Sequence, residues 1–337
     1  MKPIQHLYPH FGDPRDVVVT MHQKPDPDAM GSSLGLYHFL KGLGHRVTVV
    51  SPTNWAEFLK WMPGCESVLD YESQPHRADD ALERAEWIFC LDFNAMNRTK
   101  RMAPRLEAVK GMKILIDHHE EPHTTAFDYG ISVIPKSSTA EMVYEVIMES
   151  GHGDRIDDDI SQCLYAGVMS DTGSFRFPVT TPSVHRMVAD LMSRGLNHTR
   201  VHREIYDNHL ENRLRFIGHV LSNRMEVLYE YNAALIVIPK SDLARFDIRT
   251  GDTEGLVNYP LSIRGIELSA IVIDRDEERR WSFRSRESFD CSGFARKHFE
   301  GGGHYNAAGG RSSQSLDETA ALFRRTLPQY ASQLQPQ

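Results

Sequence analysis

Cysteine, long apolar runs and secretion signals are all scarce or missing in this sequence. The four cysteines of the 337-residue chain stand singly, with no Cys-x-x-Cys pair, at Cys65, Cys90, Cys163 and Cys291. This argues against a zinc ribbon or a disulfide framework and predicts buried thiols. No stretch approaches the ~20 consecutive apolar residues that a bilayer-spanning helix needs. The opening residues do not follow the order of a signal peptide, so we expect a cytoplasmic protein with no membrane partner.

An excess of basic residues is also missing. The formal net charge is −8, from 38 Lys and Arg against 46 Asp and Glu. Such a balance argues against a broad basic surface that coats long nucleic acid. It leaves room for a short phosphorylated substrate held at one local site. The length predicts two domains, because one hydrophobic core rarely serves a chain of this size.

The first half of the chain alternates short apolar runs with helical patterns. The runs are nearly continuous rather than alternating, which is typical of parallel strands covered on both faces. They are Asp16–Thr20, Arg46–Ser51, Trp87–Leu91 and Met112–Ile116. A helix is predicted from Ser32 to Leu43, after a glycine-serine turn. These features predict an α/β domain with a doubly wound, mainly parallel sheet.

Further helical patterns and a second set of strand-like runs divide the rest of the chain. We expect helices at 138–149, 158–170 and 183–194, and strands at 226–231, 234–239, 268–273 and 281–285. The amphipathic, charged segment between the two sets predicts connecting helices rather than a flexible tether. The predicted organisation is a first domain at 1–195, a helical linker at 196–224 and a smaller α/β domain at 225–337. The charged run 274–280 is interpreted as a hairpin tip.

Carboxylates and imidazoles follow three of the predicted strands directly. They are His22, Asp26 and Asp28 after the first strand, Asp92 after the third, and Asp117, His118 and His119 after the fourth. A single aspartate in such a place is most often a helix cap or a turn residue. Ligands of open parallel sheets gather beyond the carboxyl ends of the strands, however, so we expect these side chains to share one edge.

A cluster of carboxylates at one edge predicts bound cations, because the negative charges would otherwise raise one another's pKa values. Mixed imidazole and carboxylate ligands suit Mn²⁺, with Mg²⁺, Fe²⁺, Co²⁺ or Zn²⁺ as alternatives. Asp171, where a helical run breaks at Thr-Gly, is a further candidate ligand. Read alone, it is a helix-end residue.

A glycine-rich segment, FEGGGHYNAAGG, spans Phe299 to Gly310 near the end of the chain. Glycines there would let the backbone approach an anion, with N–H groups forming a positive nest. Read alone, a glycine run is most often a loop. The small-residue part of this segment is expected to form a close-packed helix or turn.

These five separated motifs, in this order, resemble the DHH phosphoesterase superfamily, in its DHH/DHHA1 branch. The stand-alone members of this size are NrnA-type nano-RNases that also dephosphorylate 3′-phosphoadenosine 5′-phosphate (pAp). The resemblance implies two divalent ions, one bound by His22, Asp26 and Asp92 and the other by Asp28, Asp92, His118 and Asp171. Such a pair, ~3.5–4 Å apart, holds a hydroxide for in-line attack on phosphorus.

The resemblance also implies roles for residues outside the ligand set. His119 would protonate the leaving oxygen or stabilise the transferring group, and Asp117 would orient the histidines. Gly302, Gly303, His304 and Arg284 would bind the terminal nucleotide or phosphate of the substrate, with a surface ion pair as the alternative role of Arg284. Arg98 could reach a phosphate or be an exposed helical arginine. Ser138 and Thr139 are expected to cap a helix, with contact to the substrate as the alternative.

Several functions remain open on the sequence alone. The resemblance favours hydrolysis of short oligoribonucleotides to 5′-mononucleotides and of pAp to AMP, by a monomer or homodimer. The enzymatic alternative is hydrolysis of linear or cyclic dinucleotides such as pApA, pGpG or c-di-AMP. The alternative from another class is an inactive nucleotide-binding sensor, which would have lost ligands that this chain retains. The DHHA1-like segment argues against pyrophosphatases and exopolyphosphatases, and the length and acidity argue against a processive RecJ-type exonuclease.

Overall fold

The computed structural model describes residues 1–275, 278–286 and 289–335. The chain folds into two compact units, Met1–Asn208 and His209–Gln337. In the described part of the chain, no helix is both long and apolar enough to cross a membrane. The four cysteines are free and buried, as the sequence predicts.

The first unit contains a seven-stranded sheet in which all neighbouring strands are parallel. The strands are β1 (Lys2–Pro3), β2 (Asp16–Thr20), β3 (Arg46–Ser51), β4 (Leu69–Asp70), β5 (Trp87–Leu91), β6 (Met112–Asp117) and β7 (Tyr129–Ser132). Their order is β1-β7-β6-β5-β2-β3-β4. After the short edge strand β1, the chain crosses to β2 near the middle of the sheet and runs outward through β3 and β4. It then returns to build the other side from β5 to β7, which pairs with β1.

Helices cover both faces of this sheet. They are α1 (Pro27–Gly42), α2 (Pro75–Arg84), α3 (Ala103–Ala108), α4 (Thr139–Glu149), α5 (Asp158–Asp171), α6 (Pro182–Ser193) and α7 (His198–Tyr206). Successive residues of β2 enter opposite cores: Val17 and Val19 pack with residues of α1, α4 and α5, and Val18 packs with residues of α2 and α3. Burial on both faces explains the continuous apolar runs and confirms the doubly wound fold.

Helix α1 begins five residues earlier than the sequence analysis predicts. The Asp26 carboxylate accepts hydrogen bonds from the backbone N–H groups of Asp28 and Ala29, and Pro27 occupies the first helical position. An N-terminal aspartate cap followed by proline is a strong helix start. The expected glycine-serine turn is therefore wrong, because Gly31 and the serines after it lie inside the helix.

The second unit is built on a six-stranded mixed sheet with helices. Its elements are α8 (Glu211–Asn223), β8 (Met225–Leu228), β9 (Ala233–Ile238), α9 (Lys240–Arg245), β10 (Leu268–Asp274), β11 (Arg279–Ser285), α10 (Cys291–His298), β12 (Gly302–His304), β13 (Ala307–Ser312) and α11 (Leu316–Thr326). The strand order is β12-β13-β11-β10-β9-β8, and among the described strands of this second sheet only β9 and β10 pair in parallel. This is the smaller α/β fold expected.

The glycine-rich segment forms a β-hairpin, so the expected helix or turn for its small-residue part is wrong. Strand β13 pairs antiparallel with both β12 and β11, and Ala308 enters the aromatic core beside Trp281 and Phe283. Small residues fit because they let three strands and the core approach closely. Strands β10 and β11 pair antiparallel around the predicted hairpin tip, of which Asp276 and Glu277 lie outside the described residues.

The segment predicted as a helical linker contains two helices that belong to different units. Helix α7 lies within the first unit and α8 within the second, and the division falls between Asn208 and His209. The connecting segment is thus helical on both sides of the division.

Candidate metal centre

The candidate site lies at the carboxyl ends of β2, β5 and β6. Strands β2 and β5 are neighbours, and the chain winds outward from them in opposite directions, which makes their junction the switch point of the sheet. Crevices at such points are where open α/β sheets bind ligands. His22 follows β2, Asp92 follows β5, and Asp117 ends β6. The structure therefore brings these sequence-predicted residues to one edge.

Asp92 is at the centre of the cluster. One carboxylate oxygen, Oδ2, lies 3.4 Å from Nε2 of His22, and the other, Oδ1, lies 3.4 Å from Nε2 of His118. Its backbone has a φ of +62°, in the left-handed region that a non-glycine residue rarely adopts. Backbone strain of this kind persists where the surrounding structure imposes it, and it is common at functional sites.

The first group of potential ligands consists of His22, Asp26 and Asp92, whose ligand atoms lie within 4.8 Å of one another. Nδ1 of His22 is 2.8 Å from the backbone oxygen of Gln23, an arrangement in which Nδ1–H donates and Nε2 faces the carboxylates. Asp26 uses Oδ1 to cap α1, while its Oδ2 lies 3.7 Å from Nε2 of His22. The helix cap and the candidate ligand are therefore the same residue.

The second group lies on the other side of Asp92. Nε2 of His118 lies 3.9 Å from Oδ2 of Asp28, and 3.4 Å from the Oδ2 atom of Asp171, the last residue of α5. Nδ1 of His118 is 3.2 Å from the backbone oxygen of Lys136, which orients the ring as in His22. Asp28, Asp92 and His118 also place their ligand atoms within 4.8 Å of one another.

The start of α4 holds two of these carboxylates, a role that the sequence analysis missed. The backbone N–H groups of Thr139 and Ala140 donate to the two oxygens of Asp28, at 2.7 and 2.9 Å. The Thr139 hydroxyl donates to Oδ1 of Asp92 at 2.9 Å. Ser138 caps the helix as predicted, through its side chain and the N–H of Glu141. The N–H groups and the positive end of the dipole at a helix N-terminus attract carboxylates. The predicted start of α4 was therefore the sequence signal that could have revealed this role.

His119 and Asp117 form a separate pair beside Asp92. Nδ1 of His119 lies 2.8 Å from Oδ1 of Asp117 and 3.7 Å from Oδ1 of Asp92. Asp117 is fully buried, so it fixes the orientation of the imidazole. With Nδ1–H donating to Asp117, Nε2 is the atom of His119 that can exchange a proton.

Burial and mutual repulsion set the electrostatics of the cluster. Burial, together with the charges of Asp92 and Asp171, raises the pKa of Asp28 well above its ordinary value. Burial also raises the pKa of Asp171 well above its ordinary value. For His22, burial alone would lower the pKa, but the Asp26 and Asp92 carboxylates outweigh it and raise the pKa to about 10. The cluster therefore favours added positive charge.

The donor set fits divalent metal ions. Two imidazoles present Nε2 towards several carboxylates, and each ring is oriented by a backbone carbonyl at Nδ1, as metal-bound histidines usually are. Carboxylate and imidazole ligands in this mixture suit Mn²⁺, Fe²⁺ or Co²⁺, and Mg²⁺ where carboxylates dominate. Two cations would balance the four candidate ligands Asp26, Asp28, Asp92 and Asp171.

The residues predicted to bind the substrate are divided between the two units. In the second unit, His304, Ala307 and Arg284 are register partners across β12, β13 and β11, so they share one face of the sheet. Gly302 lies on the same face. Gly303 faces the core side of the sheet. Its φ is +146°, and a Cβ atom added there would lie 2.5 Å from the backbone oxygen of Ala307, so this position requires glycine.

Arg98 lies in a 3₁₀ segment, Met96–Met102, rather than a regular helix. Its backbone oxygen accepts a hydrogen bond of 3.0 Å from the N–H of Gln23. This contact ties the segment to the loop that carries His22. The side chain of Arg98 is half-buried.

Comparison with known proteins agrees with this geometry. Residues 16–168 match the DHH family, N-terminal domain, and residues 230–332 match the DHHA1 domain. The bifunctional oligoribonuclease and PAP phosphatase NrnA of Bacillus subtilis is 28% identical over 311 residues, covering 91% of this chain and 92% of that protein. The protein of the same name from Thermus thermophilus is 31% identical over 299 residues, covering 87% and 83%.

A solved structure matches nearly the whole chain. It is an exopolyphosphatase-related protein from Bacteroides fragilis, 38% identical, with a TM-score of 0.93 and coverage of 98% of this chain and 97% of that one. Both family domains occur here in the same order as the two structural units. The chain therefore belongs to the DHH/DHHA1 family of phosphoesterases.

Proposed function

We propose that the chain is a metal-dependent phosphoesterase that hydrolyses short oligoribonucleotides to 5′-mononucleotides and pAp to AMP. The observation that carries this proposal is the position of Asp92 between two imidazole-carboxylate groups. It is supported by the similarity to two NrnA proteins over most of both chains. Both reactions are hydrolyses of a phosphate ester at the 3′ oxygen of a nucleoside, so one site can serve both.

The proposed ligands fall into two sets that share Asp92. His22, Asp26 and Asp92 would hold one ion, and Asp28, Asp92, His118 and Asp171 would hold the other. When bound, divalent ions supply charge that neutralises the phosphoryl oxygens and acidifies water. Mn²⁺ is the proposed metal because the donor set mixes imidazole and carboxylate.

The other residues of the site position the substrate and move a proton. His119, held at Nδ1 by Asp117, would protonate the leaving 3′ oxygen from Nε2. Arg284, Gly302, Gly303 and His304 would bind the nucleotide on the 5′ side of the scissile bond, and Arg98 is a candidate phosphate contact. A short substrate fits the net charge of −8, which offers no broad attraction for long or duplex nucleic acid. We propose a cytoplasmic monomer or homodimer.

Two alternative functions can be distinguished by the test given below. A dinucleotide hydrolase acting on pApA, pGpG or c-di-AMP would use the same ligands and differ in the nucleotide pocket. An inactive nucleotide sensor would bind nucleotides without turnover. The presence of all six proposed ligands, from His22 to Asp171, supports an enzyme over a sensor.

The test is a substrate panel with purified, metal-stripped protein. The substrates are pAp, pApA, pGpG, c-di-AMP, inorganic polyphosphate, and RNA of two to five and of twenty nucleotides, each with and without Mn²⁺. We expect Mn²⁺-dependent release of 5′-mononucleotides from the short RNAs and of AMP from pAp. Asp92→Asn should abolish both activities, whereas Asp80→Asn, an exposed aspartate of α2, should not. Equal or faster hydrolysis of the twenty-nucleotide RNA or of polyphosphate would contradict the proposal.

A further inference from the structure

The segment that follows the candidate ligand Asp171 has an unusual backbone. Gly173, Ser174 and Phe175 have φ values of +56°, +60° and +65°, so three consecutive residues adopt the left-handed conformation. Non-glycine residues visit this region as isolated cases, because the Cβ atom approaches the following carbonyl. A short left-handed turn containing serine and phenylalanine is therefore strained, and strain of this kind clusters at ligand-binding sites.

Hydrogen bonds hold the turn in this conformation. The Thr172 hydroxyl donates to the oxygen of Val168 at 2.7 Å and accepts from the N–H of Phe175 at 3.0 Å. The Ser174 hydroxyl lies 3.0 Å from Nε2 of His202 on α7. The chain thus reverses sharply at the end of α5.

The reversal sends two phenylalanines in opposite directions. Phe175 packs inward, with its ring 5.8 Å from that of Tyr165. Phe177 points outward and is 39% exposed. Its ring lies over Gly173, where a Cβ atom would come within 2.4 Å of it. The turn therefore places an exposed aromatic ring against the residue two positions after Asp171.

A second exposed aromatic ring is connected to the same turn. Tyr206, at the end of α7, is 42% exposed, and its ring centroid lies 6.0 Å from that of His202, the partner of Ser174. Besides burial, which raises the pKa of Tyr206, the charges of Arg176 and Asp171 act on its hydroxyl. The rings of Phe177 and Tyr206 therefore both contact residues of, or bonded to, the turn that follows Asp171.

We propose that Phe177, assisted by Tyr206, stacks on the base of the nucleoside that follows the scissile phosphate. This inference rests on the proposed function. Conversion of pAp to AMP and of pApA to two AMP molecules breaks the same bond, between the 3′ oxygen and phosphorus. The two substrates differ in the second nucleoside, which pAp lacks. An aromatic ring over Gly173, two positions after Asp171, would therefore distinguish a phosphodiester from a phosphomonoester substrate.

Stacking on an aromatic ring suits this task because every base has a flat face, so short RNA of any sequence can use it. Removing one base-stacking aromatic residue typically weakens binding roughly 5- to 150-fold. The effect should fall on dinucleotides and longer substrates. The ratio of kcat/KM for pApA to kcat/KM for pAp measures it directly.

The test compares Phe177→Leu with Phe177→Trp and Val179→Ala. Leucine keeps apolar bulk over Gly173 but removes the aromatic face, and tryptophan restores an aromatic face. Val179 is a matched control, because it lies in the same segment and is equally exposed, at 39%. We expect the kcat/KM ratio of pApA to pAp to fall at least fivefold in Phe177→Leu, and to stay within twofold of wild type in the other two variants. A smaller fall, or an equal loss in Val179→Ala, overturns the proposal.

A binding measurement separates this proposal from the proposed function. A dinucleotide that carries 2-aminopurine as its second base, and a methylene group in place of the bridging 3′ oxygen so that it cannot be hydrolysed, is titrated with protein in Mn²⁺, and its fluorescence is followed. We expect quenching by wild type that is lost in Phe177→Leu and kept in Phe177→Trp. Wild-type protein that quenches but hydrolyses neither substrate would contradict the function alone. Quenching that is absent in wild type, or that survives in Phe177→Leu, overturns the stacking role.

Discussion

The hydroxyl of Thr139 donates a hydrogen bond of 2.9 Å to Oδ1 of Asp92. Through it, the first residue of α4 fixes the carboxylate that lies between His22 and His118. The backbone N–H of the same threonine holds Asp28. One residue thus positions two candidate ligands, Asp28 in the first turn of α1 and Asp92 directly after β5, although it contributes no charge of its own.

Replacing Thr139 by valine tests this positioning role. Valine keeps the shape and the backbone N–H but leaves a buried carboxylate oxygen without this donor, a loss of about 1–3 kcal/mol. We expect a roughly 5- to 150-fold loss in Mn²⁺ affinity or kcat, measured by calorimetry and by pAp hydrolysis. Thr139→Ser should restore most of it. Wild-type values in Thr139→Val would show that the hydroxyl has no such role.

His119 is expected to act as the general acid. His119→Gln should lower kcat on pApA by roughly 10²- to 10⁴-fold, the usual contribution of a positioned acid. On the p-nitrophenyl ester of AMP the loss should be much smaller, because that leaving group departs without a proton. The measurement is the ratio of the two losses. Equal losses on both substrates would assign His119 a role in binding instead.

Gly167 of α5 makes room for the metal centre. A Cβ atom there would lie 2.7 Å from Oδ1 of Asp28 and 2.7 Å from Cβ of Ala140. Gly167→Ala should displace the carboxylate and overpack the contact between helices, at a cost of about 1–3 kcal/mol. We expect weaker Mn²⁺ binding and a lower urea midpoint. Gly42→Ala, where a Cβ atom meets nothing within 4 Å, should lower neither quantity, and a matching loss there would remove the explanation.

Asp242 gives the second unit a pH-dependent contribution to stability. Arg224 donates to both carboxylate oxygens at 2.6 and 3.1 Å, and these bonds, with that of His219, hold the pKa of Asp242 below its ordinary value. A lowered folded pKa means that this stabilisation is present above about pH 4, the unfolded value, and is lost as the pH falls through the folded value.

Asp242→Asn should therefore lower the free energy of unfolding at pH 7 by about 1–3 kcal/mol. The difference from wild type should shrink as the pH falls below about 4, and it should be lost once the pH is below the folded pKa of Asp242, where the wild-type carboxylate is protonated in the folded state as well. Urea unfolding of both proteins across this range checks it. A difference that is constant with pH would show that the charge of Asp242 contributes nothing.

The sequence predicts the sheet and its ligands because both depend on local signals. Continuous apolar runs mark buried parallel strands, and Asp92 and Asp117 stand at their ends, where the topology of such sheets brings them together. The early start of α1 was also readable, since Asp26 followed by Pro27 is a cap and a first helical position.

Other features depend on tertiary contacts that no local pattern records. Thr139 looks like an ordinary residue at a helix start, and its hydroxyl gains a role only when the fold brings the start of α4 to Asp92, at the end of β5. The left-handed turn at Ser174 is stabilised by His202, 28 residues later. The glycine-rich hairpin is a pair of strands because Ala308 completes an aromatic core built from distant segments.

Under the proposed function, Asp92 lies between two metal ions. The direct measurement is a crystal structure of the protein grown with Mn²⁺, with anomalous scattering recorded at the manganese edge. We predict two anomalous peaks, one beside His22 and Asp26 and the other beside Asp28, His118 and Asp171. The carboxylate of Asp92 should contact both ions. A single peak, no peak, or two peaks that Asp92 does not join would contradict the account.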